Sequence, residues 1–139
     1  MDSHPCASDF HVSVASRRIK LDGAFDFTAE QWSEFVLALL GRMRSRLNNG
    51  KLFLGHIKAS LEVDRGLIFG STTGGAAAIK FSEAPIPKSS KALLKTALIA
   101  YKIDQGSLEN CLLQALDETS QEYGLTYQVE QQEKEEEYL

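Results

Sequence analysis

The chain has 139 residues, of which 43% are hydrophobic and 24% charged, proportions typical of one soluble globular domain. Its formal net charge of −4 argues against nucleic acid as a partner, because neutralising phosphates requires a basic surface. Its longest apolar run, FVLALLG at 35–41, is too short to cross a membrane, so no membrane association is expected.

No secretory signal is expected from the first residues. They read MDSHPCASDF and lack the basic and apolar regions of a secretory signal. Because Cys6 and Cys111 lie far apart without a C-x-x-C pattern, we expect reduced thiols and a cytoplasmic location. His4, Cys6 and His11 are candidate metal ligands, but no fourth ligand accompanies them. We therefore expect residues 1–9 to form a flexible N-terminus without a metal site.

The first half of the domain reads as a strand followed by a helix. Apolar residues alternate with polar ones over 10–19, which predicts a strand, and Asp22-Gly23 predicts a turn after it. Thr28 and Gln31 have the spacing of a capping box, and Phe27 and Trp32 that of a hydrophobic staple. An apolar face with helical period continues to position 47, so we predict a helix that stops at 48–50.

A hairpin is predicted next. Residues 52–63, LFLGHIKASLEV, alternate between apolar and polar positions, and Asp64-Arg65-Gly66 forms a turn into a second strand, LIFGSTT. Gly74-Gly75 would make another turn or bulge before AAAIKF at 76–81.

The glycines of this region raise the possibility of a phosphate-binding loop. Such a loop lies between a strand and a helix and, for nucleotides, ends in Gly-Lys-Ser/Thr, which this chain lacks. We therefore expect no GTP or ATP binding. Ser71, Thr72, Gly74 and Gly75 remain candidates for contacting a ligand through hydroxyls and backbone amides, with ordinary turn chemistry as the alternative.

The second half closes the domain. Residues 92–103 have helix-forming composition, but their alternation favours a strand from about 94. Ser107 is expected to cap a helix that ends at Tyr123-Gly124, and residues 125–129 are predicted to form the last strand. The segment 131–139 is rich in glutamate and is expected to be an acidic, disordered tail.

This order of elements predicts the α+β class for residues 10–130. We expect a two-layer sandwich in which a mostly antiparallel sheet of four or five strands carries two helices on one face, as in split β-α-β arrangements.

Several of these segments together show a family resemblance. LGHIKASLEV, a glycine-bearing strand, LLKTALIAYKID and SLENCLLQALDETSQEYGLTYQV resemble, in this order, the C-terminal domain of cobalamin-biosynthesis-type (CobW-like) P-loop GTPases. The GTPase domain and the cysteine-containing metal motif of that family are absent from the sequence. The resemblance therefore implies an accessory or partner-binding role near metal or corrinoid (cobalamin) metabolism, without GTP hydrolysis.

His56 is the one candidate for chemistry inside the predicted domain. It lies on the polar side of its strand beside Lys58, and it could act as a general base if the fold brings Glu62 or Glu83 to it. An ordinary surface histidine is the alternative. We predict a non-catalytic domain that binds a partner or ligand through residues that include His56 and Lys58, with a small enzyme or a structural oligomerisation module as alternatives.

An uncovered sheet face is the expected docking surface. Two helices can cover only one face of such a sheet, and the other would carry His56 with Leu54, Tyr101 and Tyr127. We expect a protein partner or a second copy of the chain to bind there.

Overall fold

A computed structural model describes residues 12–48, 55–73 and 76–130. The elements follow in the order β1 (Val12–Phe27), α1 (Ala29–Asn48), β2 (Gly55–Val63), β3 (Gly66–Thr72), β4 (Ala78–Phe81), β5 (Ser89–Tyr101), α2 (Gln105–Glu122) and β6 (Leu125–Val129). The α+β class is confirmed. The sheet has six strands in the described part of the chain, slightly more than the four or five expected.

The strands are ordered β4-β3-β2-β5-β1-β6, and every neighbouring pair is antiparallel. Strands β1 and β2 both run antiparallel to β5, which lies between them, so they are parallel to each other. The same holds for β5 and β6 on either side of β1. Each helix thus connects two parallel strands separated by a third, which is the split β-α-β motif, and the β3-β4 hairpin extends the sheet beyond β2.

Strand β1 is longer than its sequence suggested. The turn expected at Asp22-Gly23 is wrong, because β1 continues through these residues and pairs there with β6. The pairing with β5 becomes irregular only between Asp22 and Phe27. Ser13 and Ala15 face the core, whereas Val12 and Val14 are exposed on the opposite face. The hydroxyl of Ser13 compensates for its burial by donating to the backbone oxygen of Ile103 at 2.6 Å.

Helix α1 begins as predicted. The hydroxyl of Thr28 accepts from the amide of Gln31 at 3.2 Å, and the side chain of Gln31 accepts from the amide of Thr28 at 2.9 Å. The rings of Phe27 and Trp32 pack with centroids 4.7 Å apart, so both the capping box and the staple are confirmed. Trp32 is fully buried in the core, together with the apolar stripe of the helix.

The strand favoured from about 94 is confirmed. Strand β5 extends over Ser89–Tyr101 and is central, with β2 on one side and β1 on the other. The cap expected at Ser107 is displaced by three residues. Asp104 is the N-cap of α2, and its carboxylate accepts from both the amide and the hydroxyl of Ser107 at 2.8 and 2.9 Å.

Both helices pack on the same face of the sheet and against each other. The core between the layers consists of apolar residues from α1, α2 and the inward positions of the strands. Where the helices meet, Arg42 binds Glu122 at 2.6 Å and Arg46 pairs with Glu118. These two ion pairs link α1 to α2 on the solvent side of the helix–helix contact. Neither α1 nor α2 lies over the opposite face of the sheet, and the described part of the chain contains no further helix.

The glycine-rich stretch serves this packing. Strand β3 is followed by strand β4 and not by a helix, so it lacks the geometry of a phosphate-binding loop. A Cβ on Gly70 would lie 2.7 Å from Leu40 and 2.8 Å from Val36, so glycine there lets α1 approach the sheet closely. Gly55 has a φ of +152°, and a Cβ there would meet the carbonyl oxygen of Ile99 at 2.0 Å, so this position requires glycine.

Candidate functional site

We call the helix-free side of the sheet the open face. A single straight row of residues crosses this face over five strands, because the strand registers place its members directly opposite one another. From β1 to β4 the row consists of Arg18, Lys95, Ser60, Phe69 and Lys80. We call this the basic row. It contains three basic residues and one aromatic ring. At about 4.8 Å between strands, it extends over about 19 Å from β1 to β4.

The adjacent row contains mostly small residues. It runs through Ser16, Ala97, Lys58, Ser71 and Ala78 in the same strand order. Because these small side chains lie between longer ones, the surface is recessed here. The two rows together line an open concavity of about 470 Å³. We call this the lysine trough. It is lined by Lys58, Lys80 and Lys95, with Phe69 and the hydroxyl residues beside them.

The lysine trough is positively charged, since no acidic residue of the described part of the chain lines it. Within the described residues, Lys58, Lys80 and Lys95 make no ion pair, whereas Arg18 pairs with Glu130 at 3.0 Å. Lys95 lies directly opposite Arg18 on the neighbouring strand. Like charges in this position destabilise a sheet, so the fold itself does not benefit from the arrangement. An anion bound across the basic row would relieve the repulsion.

The structure brings together two of the predicted ligand-binding residues. Lys58 and Ser71 are direct cross-strand partners in the lysine trough. His56 lies on the same face, two residues along β2, opposite Ile99. Thr72 is 4% exposed and points to the helix layer, so it cannot contact a ligand on the open face. Gly74 and Gly75 lie outside the described residues.

Neither of the carboxylates considered as a partner for His56 lies near it. Glu62 lies six residues further along β2, which is about 20 Å in a strand. Glu83 follows Ser82, whose amide binds the backbone oxygen of Leu67 opposite Glu62, so it lies at the same distant end of the sheet. The structure therefore assembles no acid–base pair around His56 from the residues that were considered for it.

No group of three potential metal ligands occurs in residues 12–48, 55–73 and 76–130. The candidates His4, Cys6 and His11 lie outside these ranges. In the same ranges, no helix is both long and apolar enough to cross a membrane.

The two tyrosines expected on the open face lie on different sides of the sheet. Tyr101 is on the open face and 45% exposed. The expectation for Tyr127 is wrong, because it is directly opposite the buried Leu21 and its hydroxyl donates to Asp117 of α2 at 3.0 Å. Burial and this hydrogen bond raise the pKa of the Tyr127 hydroxyl. Leu54 lies outside the described residues.

Sequence reasoning missed Lys80, Lys95 and Phe69. Each occupies an outward position of its strand, but only the strand order and the registers place them beside Lys58. An available signal was the polar alternation of LLKTALIAY, which puts Lys95 on the side away from the core.

Comparisons of the chain with protein-family models, with curated proteins and with solved structures find no match.

Proposed function

We propose that this protein is a non-catalytic binding domain that holds an extended acidic segment of a partner protein on its open face. The observation that carries the proposal is the convergence of Lys58, Lys80 and Lys95 on one concavity without an ion-pair partner among the described residues. Carboxylates placed across the basic row would supply the missing charge.

The shape of the charged surface favours an extended ligand. The basic row spans about 19 Å, which corresponds to about six residues of extended chain and far exceeds one phosphate group. The small side chains of Ala97, Ser60 and Ser71 between the lysines would allow a peptide backbone to lie close to the sheet. Phe69, 43% exposed, offers an apolar contact beside the charges.

A symmetric dimer formed through this face is the weaker alternative. A two-fold contact would bring two copies of the basic row towards each other, which adds repulsion between lysines that make no ion pair within the described residues. The enzyme alternative has no support from the surroundings of His56, since Glu62 and Glu83 are distant.

The resemblance to CobW-like C-terminal domains suggests a setting for this binding. The GHIK strand β2, the glycine-bearing β3, the strand β5 that precedes Asp104, and α2 occur in the order on which the resemblance rests. We propose an accessory role next to a protein of metal or corrinoid metabolism, whose acidic segment would be the ligand. Co-purification with a neighbouring GTPase or corrinoid methyltransferase would support this setting.

The binding proposal is tested by titrating the ¹⁵N-labelled full chain with a hexaglutamate peptide at low salt and following amide chemical shifts. We expect the shifts to concentrate on Lys58, Ser71, Ala97 and their neighbours on the open face. In the double variant Lys58→Gln/Lys95→Gln, affinity should fall about 3- to 10-fold, since each exposed ion pair contributes a fraction of a kcal/mol to about 1 kcal/mol.

Arg65→Gln is the matched control, because Arg65 is an exposed cation in the β2–β3 turn, which begins after about 17 Å of strand from Lys58. The proposal is wrong if the double variant and Arg65→Gln bind hexaglutamate equally, or if the shifts lie on the helix layer. Tighter binding of a single-stranded oligonucleotide of equal charge would overturn the choice of an acidic peptide.

A further inference from the structure

We propose that the acidic segment bound by the lysine trough carries a bulky apolar residue, which packs on an apolar patch beside the trough. The patch consists of Val12 and Val14 of β1 with Ile99 and Tyr101 of β5, and we call it the valine patch. The inference rests on the proposed function, because it names a second property of the same partner.

The valine patch is a contiguous apolar surface on the open face. The registers place Val12 opposite Tyr101 and Val14 opposite Ile99. The exposed fractions of the two valines are 41% and 47%, and Ile99 is half-buried. His56 lies opposite Ile99 on β2 and borders the patch there. Apolar side chains that are neighbours on a surface, rather than scattered singly, are typical of a docking site.

The first residues of β1 have the opposite polarity to the one that core packing requires. The inward positions are occupied by Ser13 and Ala15, whereas the larger apolar residues Val12 and Val14 point away from the core. Burial in the core therefore does not explain the two valines. Strand formation does not require them either, because threonine is also β-branched and favours strands. Departures of this kind from the expected pattern are typical of functional surfaces.

The valine patch is held in place although it lies at an edge of the sheet. Strand β6 pairs with β1 only over Ile19–Gly23. Before these residues, the side-chain amide of Gln105 accepts from the N–H of Val14 at 3.3 Å and donates to its C=O at 2.5 Å. The hydroxyl of Ser13 is bound to the backbone oxygen of Ile103. Because these contacts restrain the edge, the patch is formed before a ligand arrives, and binding does not have to order it.

The valine patch directly adjoins the lysine trough. Ala97 of the trough lies two residues from Ile99 on β5, and Lys58 is opposite Ala97. Rows on one face of a sheet are about 7 Å apart, so the row of Ile99 lies about 7 Å from that of Lys58 and about 14 Å from that of Lys95. An extended peptide covers about 7 Å with two residues, so the apolar residue of the partner should lie about two to four residues from the nearest bound carboxylate.

The experiment measures the binding of four fluorescein-labelled peptides to the full chain by anisotropy at low salt. One carries Leu-Gly-Gly before hexaglutamate and one carries Gly-Gly-Leu after it, which covers both directions of the segment. The other two have alanine in place of leucine. In at least one direction, leucine should increase the affinity about 5- to 10-fold over alanine, as expected for partial burial of its side chain. In the ¹⁵N-labelled protein, the additional amide shifts should lie at Val14, Ile99 and Tyr101.

The variant Val12→Thr/Val14→Thr tests the patch itself. Threonine has nearly the shape of valine, and both positions are exposed, so the fold should tolerate the change. In this variant the advantage of leucine over alanine should fall to about 2-fold or less. Leu113→Gln is the matched control, because Leu113 is an exposed apolar residue of α2 in the helix layer. The full advantage of leucine should remain there.

The outcomes separate this proposal from the proposed function. If leucine and alanine peptides bind equally while Lys58→Gln/Lys95→Gln weakens both, the apolar contact is wrong and the binding function stands. If the advantage of leucine persists in Val12→Thr/Val14→Thr, or is lost in Leu113→Gln, the leucine binds elsewhere and the proposal is wrong. If none of the peptides binds, both proposals are wrong. If light scattering shows a dimer that Val12→Thr/Val14→Thr converts into a monomer, a second copy covers the patch, which also overturns the proposal.

Discussion

Replacement of Lys95 by glutamine is expected to stabilise the fold and to weaken the binding of acidic peptides. Lys95 lies directly opposite Arg18 on the open face, where like charges repel. Replacement of a residue that mainly serves packing would have the opposite effect on stability, since the loss of its contacts would destabilise the protein. The paired measurement of stability and affinity therefore distinguishes a binding residue from a structural one.

The size of the effect can be estimated from Coulomb's law. Two unit charges about 8 Å apart in water repel by about 0.5 kcal/mol. Arg18 turns towards Glu130, which offsets part of this repulsion, so we expect Lys95→Gln to stabilise the protein by up to about 0.5 kcal/mol at low salt. The gain should vanish at 1 M salt, where the Debye length is about 3 Å. The affinity for hexaglutamate should fall about 1.5- to 5-fold.

Lys91→Gln is the matched control, since Lys91 lies on the same strand and face but directly opposite Asp22. Its loss removes an attraction and should destabilise the protein by a similar amount. Urea denaturation at low salt should therefore separate the two midpoints by about 0.5 M, for a slope of about 2 kcal/mol per M. If Lys95→Gln lowers the midpoint as much as Lys91→Gln does, the reasoning about the open face is refuted.

Two further predictions concern the core. Trp32→Ala should destabilise the protein by about 3 kcal/mol or more and Thr28→Ala by about 1 kcal/mol, because one change empties a buried site and the other removes a helix cap; small, equal losses in urea melts would contradict this. Burial raises the pKa of the Cys111 thiol to about 11, so in a Cys6→Ser background a thiol reagent at pH 8 should react far more slowly with the native protein than in urea. Equal labelling rates of the native and the unfolded protein would disprove this protection of the thiol. Because the pKa of the Cys111 thiol is higher in the folded state, the stability linked to its protonation is complete below the unfolded pKa of about 8.5 and is lost as pH rises towards about 11.

The sequence by itself determined the elements whose signals are local. The capping box at Thr28 and Gln31, the helical period of α1 and the alternation of β2 each act within one or two turns or strands, and the structure contains all three. The strand assignment from about 94 also followed from alternation, against a composition that favours a helix.

Local signals failed where distant pairing decides the outcome. Asp22-Gly23 has the composition of a turn, but pairing with β6 keeps it in a strand. Tyr127 was expected on the open face, but its hydroxyl donates to Asp117, which the packing of α2 brings to the other side of the sheet. Neither contact can be inferred from neighbouring residues.

The candidate site depended most on tertiary structure. The sequence supplied Lys58 and Ser71 as candidates, but Lys95 lies far from both in the chain and Lys80 belongs to a separate strand, β4. They meet because β5 inserts between β1 and β2 while β4 extends the opposite end of the sheet, and because the registers align outward residues in rows. Strand order and register are set by burying the apolar faces of all six strands and both helices at once, so the lysine trough exists only in the folded molecule.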